Sequence, residues 1–584
     1  MVLDYLIKNG TVVDGSGKPR FAADIGVRDG RIVKIGNVDE PAQEVIDAQG
    51  LVVAPGFVDV HTHYDAQIFW DPQLSPSSNH GVTTVIGGNC GFSIAPLNGR
   101  REDTDYLVRM LARVEGMPLD SLRASVPMDW QSFGDFLDRL EGTPAINIGF
   151  MVGHSALRRA VMGARAVGHA ATAEEIAAMQ DLLRASLRAG GLGFSSTVSQ
   201  THTDADSNPV PSRYASDEEL LALAQVVAEF PGTTLEFLPG PGIFSEETKE
   251  RMTRLSLAAA RPLNWNLLSP NAQNPEIYRS QLSASDYAAQ RGAKVVALVV
   301  AEAPQLRLNL LSAFLLDSIA GWADTMQLPP AERMKALADQ QVRHRLEQSA
   351  LGDTSHSRSY AQWHRYIIEQ VFSDANKAFE GKSVADVARI TGKSPYEVFL
   401  DVALADDLKT SFLLPSSSDD EASWRLRGEA WADDRTVIGA SDAGAHLDMI
   451  DSFAYSTVVL SKGVRERQLM SLEEAVHRLT DVPARLIGIT KRGLIREGYY
   501  ADIVIFDPAT IDRGPIHMKF DMPAGGGRLF ADALGIAHVM VNGKVIVEGQ
   551  EFTKERPGTI LRAGRDTYTV AIPAAAAAHG QAHA

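Results

Sequence analysis

Apolar and polar positions alternate with period two through the first 56 residues, in "YLIKNGTVVDG", "DIGVRDGRIVKIG" and "EVIDAQGLVVAPG". Residues alternating in this way face opposite sides of a sheet, and the Gly and Asn-Gly pairs between the runs supply hairpin turns. The same texture returns near the far end, in "YADIVIFDP" and "AHVMVNGKVIVEGQ". Between these ends the pattern changes to short apolar runs separated by stretches of helical period. The runs fall at 57–63, 82–87, 145–153, 192–197, 233–238, 262–268, 294–300 and 436–442. Strands buried on both faces read as near-continuous apolar runs, and their alternation with helices predicts a parallel sheet. Eight is the number a (β/α)8 barrel requires. Thr172 with Glu175 and Ser216 with Glu219 are spaced as capping boxes, and the helix over 172–189 stops at Gly190-Gly191.

This pattern predicts an α/β protein in three parts. Residues 1–56 and 490–572 form one small β-domain, and 57–489 form the barrel. A charged, mostly helical insertion at about 303–400 exceeds an ordinary βα loop and belongs at the active-site end of the barrel, where such segments form lids. The last stretch, 573–584, is a low-complexity tail.

Composition narrows the function. With 584 residues, 45% hydrophobic and 22% charged, the chain is an ordinary globular one, too long for a single core. A formal net charge of −17 repels phosphate backbones, which argues against nucleic acid as a partner. No apolar segment is long enough to span a bilayer, and the start lacks a signal-peptide pattern, so a cytoplasmic location without membrane contact is expected. A single cysteine, Cys90, leaves no internal disulfide.

The candidate chemistry sits at the ends of the predicted strands. "FVDVHTHYD" places His61 and His63 two residues apart where an apolar run ends, with Asp65 beyond. Residues i and i+2 of a strand point to the same side, so both imidazoles can reach one divalent cation, although a lone His-x-His also fits two surface histidines. Cys90 lies in "GGNCG" after the second strand, where a thiolate suits zinc and a thiol suits a small buried site. "GASDAGAH" puts Asp442, then His446, at the end of the eighth strand, as a metal ligand and proton acceptor or as a cap. His154 and His202 follow the third and fourth strands and read as structural histidines more readily than as supplementary groups.

Taken together, these motifs resemble the amidohydrolase superfamily, and most closely its N-acyl-D-amino-acid deacylases. The likeness rests on both flanks, "DIGVRDGRIVKIG…VIDAQGLVVAPGFVDVHTHYD" and "RGLIREGYYADIVIFDP". It also rests on "GVTTVIGGNCGFSIAP", "MVGHSALRRAVMG", "GLGFSS" and the tail "VMVNGKVIVEG…RPGTILR". The resemblance implies a distorted (β/α)8 barrel with a β-sandwich formed by both chain ends. It implies one or two zinc ions held by His61, His63, Cys90 and Asp442, with Asp442 as general base. It implies hydrolysis, by metal-activated water, of the amide C–N bond of a small N-acyl amine or N-acyl (D-)amino acid; an assembly of identical copies is compatible with it. The family's histidines after strands five and six have no counterpart: Glu236 or Phe237 stands at the first position and Asn264 or Asn266 at the second. Glu236 can still ligate, whereas an asparagine carbonyl replaces imidazole poorly on zinc. The family's lysine for the substrate carboxylate is also missing. Arg213 is then the candidate cation, and Phe237, Trp265, Leu267 and Leu268 favour a more apolar amide or simply pack the barrel. Two other readings remain on the same scaffold: a hydrolase of cyclic amides or another carbonyl bond, and a metal-depleted scaffold without activity.

Overall fold

The structure of the chain, a computed structural model, describes residues 2–575 except 314, 355 and 417. Most of the low-complexity tail therefore lies outside the described residues. The apolar runs form the barrel. Phe57–Asp59, Val82–Gly87 and Asn147–Phe150 pair in parallel. Val152–Gly153, Gly193–Thr197, Thr234–Leu238, Leu263–Leu268, Val295–Val299 and Thr436–Ile438 continue in chain order. The third strand is broken at Met151; its first part pairs with the second strand and its second part with the fourth. A parallel bridge between Thr62 and Ala443 joins the first strand's extension to the eighth's, and His63 N–H donates to the Ala443 carbonyl at 2.7 Å.

Two strands end earlier than their apolar pattern suggests. The first stops at Asp59 and the eighth at Ile438. Beyond Ile438, Ala440 and Asp442 take positive φ of 78° and 57°, which a strand cannot accommodate. The chain turns there and presents its polar side chains at the barrel mouth.

The helix Ala173–Arg188 begins with a complete capping box: Thr172 Oγ1 accepts from Glu175 N–H, and the Glu175 carboxylate accepts from Thr172 N–H at 2.8 Å. At the second predicted box, Ser216 Oγ accepts from Glu219 N–H at 3.2 Å, but the Glu219 side chain turns into the interior instead of back to the cap.

Both chain ends build the small β-domain. Val52–Pro55 pairs antiparallel with Ile503–Phe506 inside a nine-stranded sheet, with Val53 opposite Ile505. Ile7, Ile25, Val27, Ile503 and Met540 come from strands across that sheet into one apolar core. Ile560–Leu561 leaves this domain and pairs in parallel with the third barrel strand.

The insertion has a core of its own around Trp322, Trp363, Tyr366, Phe399 and Phe412. Besides its helices it holds a three-stranded antiparallel sheet, Arg307–Leu308, Ser411–Leu413 and Ile367–Gln370, so the unit extends past residue 400. It is tied to the loop after the eighth strand. Arg307 N–H donates to the Met449 carbonyl at 2.8 Å, and Asn309 Nδ2 donates to Asp448 at 2.7 Å. Among the described residues no helix is long and apolar enough to cross a membrane.

Candidate metal centre

The turn after the first strand is held by Asp59, whose carboxylate accepts from His61 N–H at 3.3 Å and from the Ser441 hydroxyl. That clasp joins the first and eighth strand ends and sets His61 and His63 side by side, their rings 5.3 Å apart and nearly perpendicular. Cys90 arrives on the "GGNCG" loop, which is fixed from three directions. Asp65 accepts from Gly88 N–H at 2.9 Å. Asn89 Nδ2 donates to the carbonyls of Thr62 and Ile86 at 3.1 and 2.8 Å. Ser195 Oγ donates to the Gly88 carbonyl at 2.5 Å and accepts from Gly91 N–H at 3.1 Å. Gly88 has φ +72°, and a Cβ there would lie 2.2 Å from the Met151 carbonyl oxygen, so only glycine lets the loop approach the third strand. Cys90 itself holds φ +56°. Strain of this kind at a non-glycine residue persists where the surroundings fix it, typically at functional positions.

The side chains converge. The ligand atoms of His61, His63 and Cys90 all lie within 4.8 Å of one another, and all three residues are buried. Cys90 Sγ is 3.5 Å from His61 Nε2. Asp442 Oδ1 is 3.1 Å from His63 Nε2 and 3.5 Å from His61 Nε2. Glu115 Oε1 is 3.3 Å from His63 Nδ1. Asn266 Nδ2 stands 3.2 Å from His61 Nε2 and 3.6 Å from Cys90 Sγ. Glu236 accepts from Cys90 N–H at 3.0 Å.

Charge is unbalanced here. Burial pushes Glu115 and Glu236 up to about 8, Asp59 up to about 7 and Asp65 up to about 6. Burial, with the Glu236 charge, pushes the Cys90 thiol up to about 12. His63 goes the other way: Glu115, Asp442 and Cys90 outweigh its burial and hold it well above the usual imidazole range. Burial also opposes the Asp442 charge, but the two imidazoles outweigh it and keep that carboxyl well below its usual range. Among the described residues no lysine or arginine pairs with any of these five carboxylates; the only ion-pair contacts are with His61 and His63. Burying so many acidic groups without a cation is costly. A divalent ion would supply the missing charge, and thiolate, imidazole and carboxylate are the donors zinc takes. The residues therefore fit a metal.

Other sequence candidates sort differently. His154 is fully used by its neighbours, with Nδ1 on Ser196 Oγ and Nε2 on Glu219, each at 2.8 Å. His202 packs its ring 4.9 Å from Phe92, and burial pushes it down to about 3, so it stays neutral. His446 follows Asp442 in the same loop with φ +47°. Arg213 donates to the His202 carbonyl at 3.0 Å. Phe237, Trp265 and Leu268 are buried in the barrel wall, Trp265 edge-on to Phe244 at 4.9 Å, whereas Leu267 is 38% exposed beside Asn266. Glu115 was not visible in the sequence. It caps the C-terminus of the helix Arg101–Val114, and only the tertiary fold turns it toward His63.

Comparison with known proteins adds the wider context. N-acyl-D-aspartate deacylase from Alcaligenes xylosoxydans xylosoxydans is 29% identical over 572 residues, covering 96% of this chain and 95% of that one. D-aminoacylase from the same organism is 29% identical over 562 residues, covering 96% and 97%. Among solved structures, N-acyl-D-glutamate deacylase from Bordetella bronchiseptica, complexed with zinc and a phosphonate mimic of the tetrahedral intermediate, is 27% identical. It superposes with a TM-score of 0.63 over 96% of this chain and 100% of that one. The amidohydrolase family model matches residues 44–547, most of the sequence, and on that match the chain belongs to the amidohydrolase family.

Proposed function

We propose that this centre hydrolyses the amide C–N bond of a small N-acyl amino acid or N-acyl amine. The observation that carries the reading is the convergence of His61, His63 and Cys90 within 4.8 Å, with Asp442 3.1 Å from His63. Relatives that match nearly the whole chain include deacylases of N-acyl-D-aspartate and N-acyl-D-glutamate, which supports the substrate class. The cation would be zinc, one ion or two, and His61, His63, Cys90 and Asp442 would hold it. When bound, it polarises the amide carbonyl and lowers the pKa of water beside it. Asp442 is the general base: its side chain is 30% exposed, whereas the two imidazoles beside it are almost wholly buried. It takes the proton of the attacking water and returns it to the leaving nitrogen. The Glu115 carboxylate stands 3.3 Å from His63 Nδ1 and pairs with that side of the ring, leaving Nε2 toward the centre.

At the mouth, Leu267 offers apolar surface next to Asn266. Arg213, with its guanidinium on backbone carbonyls, is the nearby cation for a substrate carboxylate. The exposed leucine favours an apolar amide. The test is amine release from N-acetyl-D-methionine and from a hydrophobic N-acyl amide without a carboxylate, with zinc and after chelation. Metal-dependent release, greater for the apolar amide, is expected. No release from any N-acyl substrate by zinc-loaded protein would contradict the reading.

A further inference from the structure

Glu236 is an unusual residue to find within a buried barrel strand. It lies on Thr234–Leu238, is 1% exposed, and faces the "GGNCG" loop. One carboxylate oxygen, Oε2, accepts from Cys90 N–H at 3.0 Å, while the other, Oε1, is buried without a hydrogen-bond partner. Asn266 Oδ1, on the neighbouring Leu263–Leu268 strand, is likewise buried and unpartnered. Leaving such an oxygen unpaired in the interior is costly, and more so when it is charged. A side chain serving only to fix the Cys90 backbone would need one oxygen, and a glutamine would supply it.

We propose that Glu236 is a metal ligand, completing the shell on the Cys90 side through Oε1. This rests on the reading of the centre as a metal site and extends it. The donor set becomes two imidazoles, one thiolate and two carboxylates, a harder and more negative shell than histidine at the same position would give. The carboxylate compensates charge that Asn266, a neutral amide, cannot.

The test separates ligation from positioning. Glu236→Gln keeps an oxygen for Cys90 N–H and removes the charged ligand; Glu236→His offers a nitrogen donor in its place. Zinc affinity is measured by chelator competition, and the cobalt-substituted protein is read by its d–d absorption and its thiolate-to-cobalt charge-transfer band. Glu236→Gln is expected to weaken zinc at least tenfold and shift the d–d bands while the Cys90 charge-transfer band persists. Glu236→His is expected to recover affinity with a third, distinct d–d pattern. Should Glu236→Gln fail to fold, the histidine variant decides alone, since nitrogen in place of oxygen must move the d–d bands. Variants with zinc affinity within twofold of wild type and unchanged cobalt spectra would overturn the proposal. A wild-type protein that holds no metal would instead overturn the reading of the centre itself.

Discussion

Two buried histidine clusters lie in the same barrel, and they are satisfied in opposite ways. Around His154, both ring nitrogens are used, and Glu219 also takes the guanidinium of Arg158, which in turn donates to the His169 carbonyl. There the positive charge of an arginine answers the carboxylate, and Arg158 Nε is the one nitrogen of the guanidinium left without a hydrogen-bond partner. Around His61 and His63 no arginine or lysine among the described residues answers the acids, and oxygens of Glu236 and Asn266 are left without partners. Both clusters contain a histidine at 0% exposure, so burial does not separate them. What separates them is whether an arginine or lysine answers the buried carboxylates. A closed set is part of the fold, and an open, acidic one is poised for something to be bound.

That contrast can be broken from either side. The largest effect falls on Asp442→Asn. The amide is nearly isosteric but cannot take a proton, so turnover per bound metal should drop by about 100- to 10,000-fold. Steady-state kinetics beside elemental analysis check this, and a variant within a few-fold of wild type would point to another base. On the closed side, Glu219→Gln leaves Arg158 buried without its counter-charge. Stability should fall by about 3–5 kcal/mol in denaturant unfolding, with the metal content of the folded protein unchanged.

The Glu219 effect has a pH signature. Burial works against its charge, but His154 and Arg158 outweigh burial and lower its carboxyl below the usual range. A group lowered in the folded state contributes stability above its unfolded pKa and loses it as pH falls. The gap between wild type and Glu219→Gln should therefore be full at neutral pH and close in acid, below the ordinary carboxylate range. Urea midpoints across pH would show it, and a gap that widens in acid would be inconsistent with this ion pair.

Smaller effects sharpen the contrast. Glu115→Gln keeps the size of the side chain and removes the charge beside His63 Nδ1, so metal affinity should weaken by about 10- to 100-fold, the usual cost of losing a group that supports a ligand. Isothermal titration with zinc reads this directly. Smallest is Arg213→Ala, which should change kcat/KM on an apolar amide by no more than about 0.5 kcal/mol, about twofold. A large loss on that substrate would put Arg213 in contact with the amide itself.

Much of this arrangement is legible in the sequence. The apolar runs mark the barrel strands because both of their faces are buried, and Val82–Gly87 falls where the pattern puts it. His61, His63, Cys90 and Asp442 are readable because they stand at strand ends among small residues. What is not legible depends on contacts between distant segments. Glu219 has the spacing of a capping box, and nothing in its neighbourhood says that it turns inward to His154 instead. Glu115 looks like the end of an amphipathic helix. The insertion's sheet is made of strands two to four residues long, too short to carry a period. Of the four apolar residues near the fifth and sixth strand ends, only Leu267 is exposed, and alternation alone could not single it out.

The central claim is that the open cluster holds a metal, and elemental analysis of purified wild type and Cys90→Ala tests it most directly. Thiolate is the softest donor in the set and zinc favours it. The account predicts bound zinc in the wild type and a marked loss in Cys90→Ala. Equal metal content in the two proteins, or none in either after zinc loading, would contradict it.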